Sequence, residues 1–207
     1  FLRLCGYKRA KDLFSARRTE DKNTLESMGV KSAHLGFEDA AWRKKIKAGK
    51  FRRILGKILP EFVSIYPFFK TGVVSGVISP HDEGLKEKIK EKLVSETGEK
   101  IAGNFVIFCP AGIGGHVDHL ITREACEELY SNLIFWSDYP YNIKSPDAAR
   151  KIESILRLDG FIKSEINPDT EIKKKIILSY KTQSKSMFDN DPVIVPETFY
   201  AISQIKL

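Results

Sequence analysis

Phe105-Val106-Ile107-Phe108-Cys109-Pro110-Ala111-Gly112-Ile113-Gly114-Gly115-His116-Val117-Asp118-His119 is the stretch that decides the fold. Its first six residues make an apolar run of strand length, and from Leu120 to Tyr130 apolar positions recur at helical spacing. Between them a Gly-rich turn delivers polar side chains to a helix N-terminus. Open α/β sheets put their chemistry at such places, in the crevice beyond a strand's carboxyl end. His116 and His119 are three apart and share one face of a helical turn, whereas Asp118 points elsewhere. Two imidazoles on one face can bind a metal, or one can ligate while the other works on a substrate. The glycines let the backbone approach a ligand without a Cβ in the way. The plain alternative is a Gly-rich loop with an Asx-type cap and two solvated histidines; the preceding strand and the P-x-G-x-G-G turn favour a site.

Outward from this block, strands and helices alternate. Ser15 to Gly29 reads as a helix with Gly29 as its stop, and Val30 to Phe37 as a short strand. That strand leaves into Glu38-Asp39. An acidic residue just past a strand end is a candidate site group, and Asp39 is equally a cap for the following helix. Ser79-Pro80-His81-Asp82-Glu83-Gly84 precedes a charged helix from Leu85 to Glu96, where capping and the helix dipole explain Asp82 and Glu83. A second apolar strand, Asn132 to Trp136, exits into Ser137-Asp138-Tyr139-Pro140-Tyr141. A short helix (Ala148 to Arg157), an alternating strand (Phe161 to Ile166), a long helix from a Thr170 cap through Lys185 and a closing strand (Phe199 to Ile202) complete the pattern. It predicts an α/β domain around a largely parallel sheet.

The chain has 207 residues, the size of one ordinary domain, with 42% apolar and 29% charged residues. No run is long enough to span a bilayer, so no transmembrane segment is expected. Cys5, Cys109 and Cys126 are odd in number and lack C-x-x-C spacing, which argues against a disulfide framework or a thiolate zinc site and for a reducing, cytoplasmic setting. The formal charge of +7 is concentrated at Arg43, Lys44, Lys45, Lys47, Lys50, Arg52, Arg53 and Lys57. Trp42, Ile46, Phe51, Ile54, Leu55 and Ile58 are interleaved with them, the pattern of an amphipathic basic helix or helical hairpin. Its ordinary meaning is a solvated outer face; its sharper meaning is an anionic partner such as a membrane surface or a phosphorylated substrate. No nucleic-acid motif is present, and no nucleic-acid partner is expected. Pro60 to Phe69, aromatic and broken by prolines, reads as a cover over a site or a contact with a second subunit, so a homo-oligomer is compatible.

Taken in order, these pieces resemble the PIG-L/LmbE superfamily of metal-dependent de-N-acetylases, nearly end to end. Arg17-x-x-Glu20 ahead of Leu25-Glu26-Ser27-Met28-Gly29-Val30 is similar to the family's R-x-x-E helix and L-G-V. Leu35-Gly36-Phe37-Glu38-Asp39 resembles its L-G-F-x-D, and Pro110 to His119 its P-x-G-x-G-x-H-x-D-H. Trp136 to Tyr141 is similar to Y-E-D-x-P-Y, and Tyr180 to Gln183 to Y-x-x-Q. The H-x-D-H block is the most specific of these. The resemblance implies a Rossmann-like three-layer α/β/α domain with a mostly parallel sheet, covering 1–207. It implies a zinc-dependent hydrolase, other divalent metals being compatible, that removes acetyl from an N-acetylated amino sugar or sugar conjugate.

One family motif, the N-terminal H-P-D-D-E that supplies two zinc ligands and the general base, does not occur in this chain, and Pro80-His81-Asp82-Glu83 stands in the wrong place to replace it. Because the chain starts at Phe1, directly upstream of the R-x-x-E helix, the reading is of a domain lacking its first strand and first metal motif. The competing readings are a non-catalytic homologue and a basic module that binds an anionic partner. On the family pattern His119 is a metal ligand, and His116 faces the tetrahedral intermediate to stabilise its oxyanion or protonate the amine. Asp118 accepts a histidine N–H from behind, Gly114 and Gly115 give the sugar access, and Arg17 and Asp39 meet polar groups of the substrate.

Overall fold

The structure is a computed structural model, and it describes residues 5–45, 63–98, 105–189 and 191–202. Its helices are α1 (Ala10–Ser27), α2 (Leu85–Thr97), α3 (Val117–Leu129), α4 (Tyr141–Lys144), α5 (Pro146–Leu158), α6 (Thr170–Ser179) and α7 (Lys181–Phe188). Its strands are β1 (Ile107–Pro110), β2 (Leu133–Trp136), β3 (Phe161–Ile166) and β4 (Glu197–Ile202). Short 3-10 turns lie at Ala40–Trp42 and Pro80–Asp82, and a π-turn at Phe69–Val73. No helix among the described residues is long and apolar enough to cross a membrane. Most of the basic segment 43–57, and residues 60–62 of the aromatic one, lie outside the described residues.

The chain divides into two compact units, residues 1–34 with 166–197 and residues 35–165 with 198–207. In the first, α1 is tied to the paired helices α6 and α7. The Glu20 carboxylate accepts the Thr182 N–H at 3.1 and 3.2 Å and the Thr182 hydroxyl at 2.7 Å, and Thr24 and Ser179 share a hydrogen bond of 2.7 Å between hydroxyls. The single helix expected from Thr170 through Lys185 is two, breaking at Tyr180. The break frees the Thr182 N–H for Glu20 and sends the Tyr180 hydroxyl to Asp21 at 3.0 Å. Its N-cap is Asp169, which accepts the Ile172 N–H at 2.9 Å, one residue before the Thr170 expected from sequence.

The second unit carries the sheet, in the order β1-β2-β4-β3. β1 and β2 are parallel, but β2 and β4 are antiparallel, so the sheet is mixed where a largely parallel one was expected. The register gives the reason. Phe199, near the start of β4, pairs with Trp136 at the end of β2, so the chain enters β4 beside the carboxyl end of β2 and runs back along it. Cys109, Phe135 and Tyr200 are partners across three strands and point the same way; all three are buried, with Ala111, Ile113, Leu133, Cys126 of α3 and Leu156 of α5. Helix α3 supplies Val117, Ile121 and Ala125, a buried stripe at four-residue spacing, and Ile121 and Ala125 pack with Ile89 of α2. Val30 to Phe37 does not form the expected strand: Val30 and Phe37 are exposed, and no strand is assigned there. A β-run that buries neither end against a neighbour has little to hold it extended.

Candidate functional site

β1 stops at Pro110, and the Ala111 N–H adds one more rung by donating to the Trp136 carbonyl at 3.0 Å. The chain then turns through glycines. Gly114 and Gly115 have φ of +87° and +68°, a region where L side chains are strained. A Cβ on Gly114 would lie 2.7 Å from the Tyr141 ring, and one on Gly115 2.9 Å from the Gly76 nitrogen. The Gly76 N–H donates to the Gly115 carbonyl at 2.9 Å. The space beside these two glycines, expected to admit substrate, is therefore filled by Tyr141 and the turn at Gly76, and close packing accounts for both.

His116 ends the turn and is the N-cap of α3. Its Nδ1 accepts the Asp118 N–H at 3.2 Å, while its carbonyl accepts the His119 and Leu120 N–H groups. An Nδ1 that accepts leaves the proton of the neutral ring on Nε2. Burial pushes the His116 pKa down, and neighbouring His119 pushes it the same way, so the ring holds its neutral, capping form.

His119 is the complement. Its Nδ1 meets the Asp138 Oδ1 at 2.6 Å, and because a carboxylate only accepts, the ring donates its Nδ1–H. In the neutral imidazole this leaves the lone pair on Nε2. Asp138 follows β2, its side chain fully buried, and its Oδ2 accepts the Ile113 N–H at 2.8 Å from within the Gly-rich turn. The two histidine ring centres lie 4.9 Å apart with planes 31° from parallel, and the His119 and Tyr141 rings stand nearly perpendicular with centres 5.9 Å apart. Burial raises the Tyr141 phenol pKa, helped by the charges of Asp39 and Asp138, so the phenol keeps its proton.

Asp118 does not play the part expected of it. Its Oδ2 accepts the Ala40 N–H at 2.9 Å and its Oδ1 the Arg43 Nη1–H at 2.5 Å, so the carboxylate contact to a histidine is made by Asp138 instead. The reason is geometric: one residue past Val117, the Asp118 side chain leaves α3 on a different side from the histidines. Arg43 is buried, not part of a solvated basic face, and its Nη2–H donates to Asp82 at 2.7 Å. Asp82, read from sequence as a helix cap, is also buried, and it accepts the Tyr66 hydroxyl at 2.8 Å; the cap of that turn is Ser79, which accepts the His81 N–H at 3.2 Å. Burial opposes the Arg43 charge, but Asp118 and Asp82 outweigh it and raise the guanidinium pKa.

The second unit thus gathers His116, Asp118, His119, Gly114 and Gly115, with Asp39 close enough for its charge to act on His116 and Tyr141. Asp39 accepts the Ala41 N–H at 2.9 Å and caps the turn Ala40–Trp42, as the capping alternative had it. Arg17 belongs to the first unit, on α1, with its guanidinium over the Phe14 ring at 5.8 Å. Sequence reasoning passed over Asp138, Arg43, Asp82 and Tyr66. Asp138 had a signal: it follows a strand that is parallel to and beside the one carrying the H-x-D-H turn.

Compared with known proteins, the chain matches no family model, no curated protein and no solved structure.

The donor chemistry fits a zinc ion at one point. His119 has the carboxylate-backed imidazole that metal-bound histidines show. Among the described residues no group of three or more His, Cys, Asp or Glu side chains is placed to hold a metal, whereas a catalytic zinc takes three protein ligands. The described residues fit zinc as one ligand and not as a whole site.

Proposed function

We propose that this chain acts in the metal-dependent removal of an acetyl group from an N-acetylated amino sugar or sugar conjugate, as a relative of the PIG-L/LmbE de-N-acetylases with their three-layer Rossmann-like architecture. The observation that carries the reading is His119, donating from Nδ1 to buried Asp138 and keeping Nε2 as a lone pair, next to a second imidazole of opposite tautomer. A zinc ion supplies an activated water and polarisation of the acetyl carbonyl when bound. The further ligands it needs would come from outside the described residues.

The chain's own residues do the rest. Asp138 fixes the tautomer of His119 and strengthens Nε2 as a donor of electrons. His116, neutral with its proton on Nε2, is a hydrogen-bond donor suited to an oxyanion. Tyr141 closes one side of the pair of rings. The cytoplasm is the compartment that suits three free thiols. Zinc content together with acetate release from N-acetylglucosamine-type substrates tests the proposal. A protein that neither retains zinc nor deacetylates any member of such a panel sinks it.

A further inference from the structure

Two carboxylates stand near the histidine pair, and they are sorted. Asp138 takes His119, while Asp118, one residue from His119 in sequence, turns its oxygens to Ala40 and Arg43. The sorting group is Arg43. Its Nη1–H groups reach Asp118 and the Glu38 carbonyl, the latter at 3.1 Å, and Nη2–H reaches Asp82. Its guanidinium lies 5.5 Å from the Tyr66 ring centre, and the Tyr66 hydroxyl closes the set by donating to Asp82 and accepting the Ser79 N–H at 2.9 Å. Three segments far apart in sequence, the turn after Asp39, the turn at Ser79 and the start of α3, therefore meet on one buried cation.

We propose that Arg43 is a positioning residue of the histidine site: by clamping Asp118 to Asp82 it holds the start of α3 in place and keeps Asp118 off His116, so that the two rings retain opposite tautomers. A planar fork that addresses two carboxylates at once does this with one side chain, and an ammonium does it less well. Without the cation, Asp118 is left as a half-buried carboxylate beside an imidazole, and the favourable rearrangement is for His116 to place a proton on Nδ1 and donate it to Asp118. That rearrangement gives up the His116 cap on the Asp118 N–H. The effect on catalysis rests on the hydrolase reading above; the effect on the rings does not.

The test is ring nitrogen-15 NMR of the full chain at about pH 8, where an ordinary histidine is neutral. The chain has four histidines, so the spectrum is small, and His34, paired with Asp21 in the other unit, is the internal reference. Arg43→Met is expected to move the His116 Nδ1 signal from the unprotonated towards the protonated position and to leave His34 unchanged. Arg43→Lys, whose stem is similar but charged, is expected to restore most of the wild-type position. Wild-type ring signals in a folded Arg43→Met overturn the proposal, as does the same shifted spectrum in both variants, since bulk and not charge would then be responsible. If Arg43→Met loses its native circular dichroism, Arg43→Gln replaces it with the same expectation. Folding with Lys but with neither neutral residue supports the clamp, and loss of the fold in all three overturns it, because a cation at this position would then not be what the fold requires. On substrate, Arg43→Met is expected to lower kcat by about 10- to 100-fold with KM little changed. Shifted rings in a protein whose wild type hydrolyses nothing would leave the clamp standing and remove the hydrolase reading.

Discussion

Replacing Asp138 with Asn removes one charge and leaves the shape of the side chain. Both carboxylate oxygens accept, one from the His119 Nδ1–H at 2.6 Å and one from the Ile113 N–H at 2.8 Å. An amide has one oxygen and one NH2, so one of these two donors must face another donor. The backbone N–H cannot change; the ring can. The amide oxygen is expected to stay on Ile113, its NH2 to donate to His119 Nδ1, and the ring proton to move to Nε2. The lone pair at Nε2 is lost, and with it the ability to ligate. Hydrogen bonds to a charged group contribute about 1.5–3 kcal/mol each, whereas keeping a carboxylate fully buried costs several kcal/mol. These oppose each other, so stability to urea is expected to change by less than about 2 kcal/mol. On the proposed zinc reading, metal affinity has no such compensation and is expected to fall by about 10- to 100-fold. Ring nitrogen-15 spectra read the tautomer, calorimetric zinc titration reads the affinity, and urea denaturation reads the stability. An Asp138→Asn protein that keeps the proton on Nδ1 of His119, or that changes tautomer and still binds zinc as the wild type does, refutes the reasoning.

Gly114→Ala puts a Cβ 2.7 Å from the Tyr141 ring at a φ of +87°, and is expected to destabilise by about 1–3 kcal/mol in urea; unchanged stability would show that the turn and ring are not in close contact. Tyr66→Phe removes the donor to Asp82 and the acceptor of the Ser79 N–H, so a loss of about 1–3 kcal/mol is expected, and a neutral result would mean that water replaces the hydroxyl. Burial, then the bond to Asp21, pushes the Tyr180 phenol up to about 12 from its ordinary 10.0. A folded pKa above the unfolded one means stability that is full below the unfolded value and lost as pH rises through the folded value, so this contribution fades between 10.0 and about 12. Tyr180 should contribute to a late rise of phenolate absorbance in an alkaline titration, and Asp21→Asn should bring part of that rise earlier; a late rise unchanged in that variant would exclude Asp21 as a cause.

What could be read from sequence was local. The apolar run ending at Pro110, the glycines and the periodic residues after Val117 each specify their own conformation, and β1, the turn and α3 follow. The same holds for β2 and β3, whose runs are bounded by turn residues. Pairing direction is not local: nothing in Glu197 to Ile202 states that it runs against β2. The break at Tyr180 was hidden for the same reason, since the pattern is continuous and the interruption comes from Glu20, far off in sequence. Asp82 shows how a correct local signal can mislead. Ser79-Pro80 is a true turn start, and acids belong there; only the arrival of Arg43 from another segment turns Asp82 inward. Arg43 itself sits at the head of a basic run whose composition says surface.

The H-x-D-H block is thereby divided among three tasks that its spacing alone does not distinguish. His116 must stay neutral to cap α3, because a protonated Nδ1 has no lone pair for the Asp118 N–H. The cap therefore fixes the ring as a donor at Nε2, which suits stabilising an oxyanion better than removing a proton from water. His119 is fixed the other way by Asp138, as an acceptor at Nε2, which suits a metal or a proton in transit. The Asp118 carboxylate bonds to neither ring and anchors the turn through Arg43. Were the Asp118 carboxylate to take an Nδ1–H from His116 while Asp138 kept His119, both neutral rings, 4.9 Å apart, would present an Nε2 lone pair and neither an N–H. On the proposed hydrolase reading the two tautomers divide the work: His119 offers a lone pair to the metal, and His116 offers an N–H to the oxyanion that develops as water adds to the amide carbonyl.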